Sequence, residues 1–249
     1  MTIWQAICRS YQQAASFMRV HPWLLLLPIS AEMAQHVAEM YIGMYDSTDM
    51  AIQVENHPLR MGLGLIKILA ISIPVYWVAR FISDEVVDDR IMEFDKSATR
   101  LFGIYLFVMT AISAVQVFLM QGTGSVALAS FVFGMIFGSL MIGWAIAAPL
   151  GHAQMGPLQS AQLMWRYIPA TIVITFIAIM PLMIPHYLLA IAAIHVDAQI
   201  LKWGILIIDS LLTGWLSILI GSSFFFAAAR AARSNPRWHH LFSHSGQEA

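Results

Sequence analysis

The sequence has few charged residues for its length, and this shortage indicates the class of protein. Only 11% of the 249 residues are Asp, Glu, Lys or Arg, and 59% are apolar. Soluble domains are about one quarter charged. The composition therefore argues against an ordinary soluble protein and predicts a polytopic membrane protein. The remaining charges nearly cancel, with 13 basic and 14 acidic residues, so we expect no field of one sign and no nucleic-acid partner.

Cysteine and catalytic signatures are also scarce. The single cysteine, Cys8, excludes an internal disulfide and cannot by itself hold zinc or an iron–sulfur cluster. The sequence contains no H-E-x-x-H, no G-x-S-x-G and no Walker loop pattern. We therefore expect a non-enzymatic protein with no cofactor and no catalytic residue.

Long apolar runs are what the chain does contain. A spanning helix needs about 20 mostly apolar residues. The sequence predicts an all-α fold with six such transmembrane helices, at 22–45, 61–82, 101–120, 125–150, 167–194 and 203–229. The first is the weakest, and a re-entrant or partly interfacial helix is its alternative. We expect residues 1–249 to form a single integral membrane domain with an amphipathic lead-in at 1–21 and a cytoplasmic tail at 230–249.

The distribution of basic residues predicts the orientation in the membrane. If the N-terminus is cytoplasmic, ten of the 13 Lys and Arg residues lie on the cytoplasmic side. Arg60 and Lys202 lie on the other side, and Lys67 lies inside a span. Because basic residues are enriched in cytoplasmic loops, this bias predicts that both termini face the cytoplasm.

Amphipathic stretches precede the first, third and fifth predicted spans. They are IWQAICRSYQQAASFMRV, SDEVVDDRIMEFDKSATRLF and GPLQSAQLMWRYIP, at 3–20, 83–102 and 156–169. In the first, one stripe is shared by Ile3, Ala6, Ile7, Ser10, Tyr11, Ala14 and Phe17. Such a stripe favours a helix lying at the membrane surface. The chain is thus predicted to contain three units of cytoplasmic amphipathic helix plus transmembrane hairpin, with plain helical linkers as the alternative.

Two segments carry a resemblance to known families: PLQSAQLMWRYIPATIVITFIAIMPLMIP at 157–185 and AASFMRVHPWLLLLP at 14–28. The layout is similar to that of six-helix bacterial inner-membrane proteins of the YciC kind. It also resembles the membrane domain attached to some glycerophosphodiester phosphodiesterases. The chain lacks a soluble catalytic domain, so the resemblance does not imply that activity. It implies a bacterial inner-membrane location and a role linked to the envelope or to lipids.

Three ionisable residues interrupt the first predicted span. On a helix turning about 100° per residue, Glu32, His36 and Glu39 share one polar face, with Gln35 beside them. Because ionisable groups inside a membrane are costly, this face should point into the bundle.

Ionisable residues in other spans are expected at a similar depth. Counted from the predicted span ends, Glu39, Lys67 and Asp209 lie about 9 Å below the non-cytoplasmic surface, and His186 lies about 12 Å below it. Gln116 is expected close to this layer. The layer has more acidic than basic groups, so at least one carboxyl should be protonated, paired with histidine, hydrated or bound to a cation.

The candidate ligand or ion site therefore consists of Glu32, His36, Glu39, Lys67, His186 and Asp209. Three uses remain open: helix-to-helix hydrogen bonding, a hydrated chamber for transport or sensing, and a metal or catalytic centre. For a metal, Glu32 and Glu39 are too far apart along one helix to bind the same ion. His36 and Glu39, completed by His186 and Asp209, are the expected ligands in that case, and the metal is unknown.

We expect the protein to act in envelope or lipid homeostasis as an assembly or regulatory component. Its expected partners are the lipid bilayer and a protein bound at the cytoplasmic helices. The alternative is a small proton- or cation-coupled transporter. In that case Glu32, Glu39 and Asp209 exchange protons or ions, Lys67 sets their affinity and His36 relays protons.

Overall fold

The fold is all-helical over the residues that the computed structural model describes, which are 1–83, 91–119, 124–233 and 235–239. Over these ranges its α-helices are α1 (Ile3–Val20), α2 (Leu26–Tyr41), α3 (Thr48–Val54), α4 (Pro58–Ser72), α5 (Val75–Ile82), α6 (Lys96–Leu119), α7 (Ser125–Ala147), α8 (Pro157–Met164), α9 (Ile168–Ile194) and α10 (Gln199–Ala232). The predicted all-α class is confirmed for this part of the chain.

Five helical segments in the described ranges are long and apolar enough to cross a membrane. They are Pro58–Ile82, Lys96–Phe118, Ser125–Ala147, Pro157–Ile194 and Gln199–Ala232. The first of these joins α4 to α5 and the fourth joins α8 to α9. These segments indicate a multi-pass membrane protein, as the composition predicts.

The first predicted span, 22–45, is not among these five. A 3₁₀ turn at Pro22–Leu25 precedes α2, which has 16 residues and is therefore about 24 Å long. A hydrocarbon core is about 30 Å thick. The helix ends before Gly43, whose positive φ of 77° closes the turn. The helical part of the run at 22–45 thus begins with a 3₁₀ turn and ends at Tyr41, and the prediction of six spans is not confirmed.

The amphipathic lead-in α1 is packed against protein. Its buried residues are Ala6, Ile7, Ser10, Ala14 and Phe17, all members of the predicted stripe. This face contacts α9 and above all α10. In the second lead-in, residues 84–90 lie outside the described ranges. The third forms α8 and a 3₁₀ turn at Trp165–Tyr167 that leads directly into α9.

Helix α10 lies at the centre of the bundle. Its 34 residues pack against α1, α2, α5, α7 and α9. Among the predicted hairpins, α2 packs on α4 and α9 packs on α10, whereas α6 contacts α4 more than it contacts α7. The grouping into three hairpins therefore stays a prediction.

The predicted tail at 230–249 is described only in part. Its first residues continue α10, and residues 234 and 240–249 lie outside the described part of the chain.

Candidate functional site

A cavity of about 350 Å³ is lined by residues of α2, α4, α9 and α10. Its lining includes all six residues of the predicted site: Glu32, His36, Glu39, Lys67, His186 and Asp209. The structure thus brings together residues that are up to 177 positions apart in the sequence. What they bind or transfer stays a prediction.

Four of these residues lie at one depth in the bundle. Glu32 is nine residues before the end of α2, and Lys67 is nine residues after the start of α4. His186 is eight residues before the end of α9, and Asp209 is ten after the start of α10. At 1.5 Å per residue these positions are about 12 to 15 Å from the helix ends.

Glu39 lies nearer to the helix ends than the sequence predicts. It is two residues before the end of α2, because that helix ends four residues earlier than expected, while α4 and α10 begin earlier. Glu32 is therefore the acid that meets Lys67, with 3.1 Å between the Lys67 Nζ and the Glu32 Oε1 atoms. The predicted placement of Glu39 at the depth of Lys67 is therefore corrected, and Glu32 lies at that depth.

His36 contacts acidic groups through both ring nitrogens. Its Nε2 lies 3.1 Å from Asp209 Oδ2 and 3.5 Å from Glu32 Oε1. Its Nδ1 lies 3.2 Å from Glu39 Oε2 and 2.9 Å from the Tyr45 hydroxyl oxygen. Only the imidazolium can donate from both nitrogens. The arrangement thus suits a cationic ring among three carboxylates.

Glu39 is fully hydrogen-bonded. Its Oε1 accepts from Gln35 Nε2 at 2.8 Å and from Arg60 Nε at 2.9 Å. Its Oε2 accepts from the Tyr45 hydroxyl at 2.6 Å and faces His36. Burial and the adjacent Glu39 carboxylate raise the pKa of the Tyr45 hydroxyl above its usual range, so this hydroxyl remains a donor. Glu39 is consequently a fixed acceptor that organises the end of α2.

The C-terminal cap of α2 positions Tyr45 at the site. The Gly43 N–H donates to the Met40 carbonyl, and the Met44 N–H donates to the Glu39 carbonyl at 2.9 Å. This pair of bonds with a left-handed glycine is a Schellman motif, which reverses the chain after α2. Lys202 of α10 then donates from Nζ to the Tyr45 carbonyl at 2.7 Å.

Sequence reasoning missed the roles of Arg60, Tyr45 and Lys202 in this network. All three lie near helix ends, where polar side chains are ordinary, so they give no signal of the kind that an acid in an apolar run gives. Gly43 is the one usable clue, because glycine just after a periodic apolar segment predicts a C-cap and a reversal of the chain.

Glu32 differs from Glu39 in having an oxygen without a partner. Its side chain is 1% exposed, and Oε1 receives Lys67 and faces His36. Within the described residues, Oε2 has no hydrogen-bond partner. A buried acceptor left unpaired is costly. This oxygen, like the unpaired Gln35 Oε1 on the same helix, is therefore a position in the network where a proton, cation or water would bind.

Asp209 joins the two histidines of the site. His186 Nδ1 lies 2.6 Å from Asp209 Oδ1, and His36 Nε2 faces the other oxygen. Asp209 itself is fully buried, whereas the His186 side chain remains 17% exposed at the cavity. The pair thus provides a continuous polar path from the cavity surface to the buried ring of His36.

The charge balance of the site is less acidic than the sequence predicts. Arg60, expected only in a loop, pairs with Glu39, so three carboxylates face Arg60, Lys67 and two histidines. Gln116 does not line the cavity. Its Nε2 instead donates to the Ser130 carbonyl at the start of α7.

The residues best arranged for a metal also differ from the expected set. Ligand atoms of Glu32, His186 and Asp209, one from each residue, lie within 4.8 Å of one another. Glu39 is not in this group, and its oxygens accept from Gln35, Tyr45 and Arg60. The predicted ligand set of His36 and Glu39 with His186 and Asp209 is corrected accordingly.

No protein-family model, curated protein or solved structure matches the chain. The resemblance to YciC-like proteins and to the phosphodiesterase membrane domain therefore stays a prediction.

Proposed function

We propose that this protein is a small proton- or cation-coupled membrane transporter that uses the cavity bordered by α2, α4, α9 and α10. The observation that supports the proposal is the unpaired Glu32 Oε2, a buried acid oxygen beside a cavity of about 350 Å³. Glu39, by contrast, has hydrogen-bond donors at both of its oxygens, as an acid that only joins helices should have. Glu32 and Asp209 exchange the ion, and His36 relays protons between them.

The proposed topology has both termini in the cytoplasm of a bacterial inner membrane. Ten of the 13 Lys and Arg residues then lie on the cytoplasmic side. Helix α2 and its preceding turn act as a sixth, short crossing, and the cavity lies nearer to the non-cytoplasmic face. The expected role in envelope or lipid homeostasis and the expected protein partner stay predictions, because no contact in the described residues favours either of them.

Hydration of the cavity is the first property to test. In a Cys8→Ser background, we would place single cysteines at positions 32, 36, 39, 67, 186 and 209 and add an impermeant thiol reagent to intact cells. We expect Lys67→Cys and His186→Cys to react, because these side chains remain 19% and 17% exposed. Leu206→Cys is the matched control, since it is fully buried one turn from Asp209 and should not react. No labelling at positions 67 and 186, with labelling at Asp49→Cys and Asp197→Cys, would refute a hydrated cavity.

Coupled transport is tested with the purified protein in liposomes. A pH gradient is applied across the membrane, and internal pH is followed with a fluorescent dye in the presence of single cations. We expect a cation-dependent proton flux that Glu32→Gln abolishes. Glu55→Gln, on the same side of the bundle but exposed and outside the cavity lining, should leave the flux unchanged. Equal flux in both variants would contradict the proposal.

A further inference from the structure

Three side chains from three helices present ligand atoms to one point of the cavity. Glu32 of α2, His186 of α9 and Asp209 of α10 each offer one atom, and these atoms lie within 4.8 Å of one another. Donor atoms bound to one first-row metal ion at about 2.0 to 2.2 Å are about 3 to 3.5 Å apart. A modest contraction of the side chains would therefore place all three on one ion.

We propose that Glu32, His186 and Asp209 bind a divalent first-row transition-metal ion. This inference rests on the proposed function, since it names the class of cation that the cavity takes. It also has its own support, because Glu32 Oε2 is buried and has no partner within the described residues. Two acids and an imidazole with ligand atoms close together, one of the acids retaining an unpaired oxygen, form a donor set typical of a metal site.

The remaining atoms of the two acids are held by neighbouring donors. Lys67 Nζ lies 3.1 Å from Glu32 Oε1, and His36 Nε2 lies 3.1 Å from Asp209 Oδ2. Groups that bond to the non-ligating oxygens of metal ligands fix the orientation of those ligands. Lys67 and His36 are thus positioning residues, and they leave the other oxygen of each acid directed to the ion or to His186.

The donor set selects the class of metal. Two carboxylate oxygens together with one imidazole nitrogen form a mixed donor set that suits Mn²⁺, Fe²⁺, Co²⁺, Ni²⁺ or Zn²⁺. Ca²⁺ and Mg²⁺ prefer sites made only of oxygen ligands. Cu⁺ prefers thiolate, and the single cysteine, Cys8, is in α1 and does not line the cavity.

Metal binding is measured on the full chain without an affinity tag. The protein is purified in detergent, treated with EDTA, incubated with Zn²⁺ or Mn²⁺ and desalted, and its metal content is determined by mass spectrometry. We expect one ion per chain, not displaced by excess Mg²⁺. Glu32→Gln, His186→Asn and Asp209→Asn should each lose it. His195→Asn, an exposed histidine just after α9, should retain it.

Adventitious binding is controlled with a second variant. His239, His240 and His244 lie close together in the sequence near the C-terminus and are replaced together by alanine. This variant should keep one ion per chain. Loss of the ion in this variant, or its retention after all three ligand substitutions, would overturn the proposed site. Absence of bound metal in the unmodified protein would overturn it as well.

A variant that gains a spectroscopic signal separates loss of a metal ligand from failure to fold. In the Cys8→Ser background, His186→Cys replaces the imidazole by a thiolate at the same position. Co²⁺ bound there should show a thiolate-to-metal charge-transfer band that is missing from the parent, and a folded variant without this band would refute the assignment. Metal binding without coupled flux would support the metal site and refute the proposed transport. Coupled flux without metal binding would support transport and refute the metal site.

Discussion

Glu32 and Glu39 show how one residue type takes two roles on one helix. Both side chains are buried, and both belong to the polar face of α2. Glu39 receives donors from Gln35, Tyr45 and Arg60, whereas Glu32 keeps one oxygen unpaired. The environment of each carboxylate, rather than its identity, thus separates a structural acceptor from a candidate binding group.

The two acids should respond differently to neutralisation. We expect Glu39→Gln to lower the free energy of unfolding by about 2 kcal/mol, because hydrogen bonds to a charged group contribute about 1.5 to 3 kcal/mol. Glu32→Gln should cost less, since one of its oxygens has no hydrogen bond to lose and its partner Lys67 is partly exposed. Unfolding by sodium dodecyl sulfate in mixed micelles, followed by tryptophan fluorescence, measures both. A larger loss in Glu32→Gln would contradict the assignment.

His36 and Asp209 should be energetically coupled. Removing one member of a buried charged pair costs about 3 to 5 kcal/mol because the other member is left uncompensated. We expect His36→Ala to destabilise the protein in this range. Combined with Asp209→Asn, it should cost less than the sum of the single changes. The double-mutant cycle is measured in the same unfolding assay, and strictly additive losses would mean that the 3.1 Å contact between the two side chains has no energetic role.

The candidate site was largely predictable at the residue scale. An ionisable side chain within an apolar run is a strong signal, and all six residues chosen on this basis line one cavity. The pairing within the site was not predictable, because it depends on where each helix ends. A shift of four residues, about one helical turn, at the end of α2 moves Glu39 out of the Lys67 layer and brings Glu32 into it.

At the scale of elements, close contact between α2 and α10 is possible because of one glycine. A Cβ atom at Gly214 would lie 2.7 Å from Ile29 Cγ1 and 3.4 Å from Leu25 Cβ. The two helices that carry His36 and Asp209 can therefore approach only while position 214 has no side chain.

We expect Gly214→Ala to force these two helices apart. Overpacking of this kind costs about 1 to 3 kcal/mol and should also weaken metal binding by separating Glu32 from Asp209. Gly204→Ala in the same helix is the matched control, since nothing lies within 4 Å of its added Cβ. It should be neutral or slightly stabilising, because glycine disfavours a helix interior. Unfolding midpoints and bound metal are compared, and equal results for the two variants would contradict the close packing.

The contact of α1 with the bundle is testable through one aromatic residue. Phe17 is fully buried and packs edge-on against Phe81, with ring centroids 5.3 Å apart. We expect Phe17→Ala to cost about 3 to 5 kcal/mol, as for other buried aromatics. Trp4→Ala in the same helix should have little effect in detergent, since Trp4 is 68% exposed. Comparable unfolding midpoints for the two variants would argue that α1 is not part of the core.

Helix periodicity made the buried face of a helix more predictable than the number of membrane-spanning helices. The α1 stripe follows directly from residue spacing, and the structure buries it. Hydropathy alone does not locate the end of a helix, and the helix within 22–45 ends at Tyr41, just before the cap at Gly43. Packing partners were the least predictable, because sequence adjacency favours α6 with α7, whereas α6 contacts α4 more extensively.

At the scale of the whole molecule, the proposed orientation makes a clear prediction. We expect Asp49→Cys and Asp197→Cys, each in the Cys8→Ser background, to react with an impermeant thiol reagent in intact cells. Arg237→Cys should react only after the inner membrane is permeabilised, because the basic residues around it face the cytoplasm. Western blotting after thiol-linked mass tagging measures the three variants. The reverse labelling pattern would show the opposite orientation in the membrane. Labelling of all three variants in intact cells would contradict the proposed topology.

The central position of α10 also affects how the protein is made. Asp209 is 173 residues downstream of the His36 that it contacts. At a synthesis rate of about 5 to 20 residues per second, roughly 10 to 35 s separate the two residues on the ribosome. During that interval the polar face of α2 lacks its partner Asp209 on α10. Until α10 enters the membrane and completes the site, the nascent chain must stabilise His36 and Glu32 with the partners made earlier, Glu39, Tyr45 and Lys67, or with water.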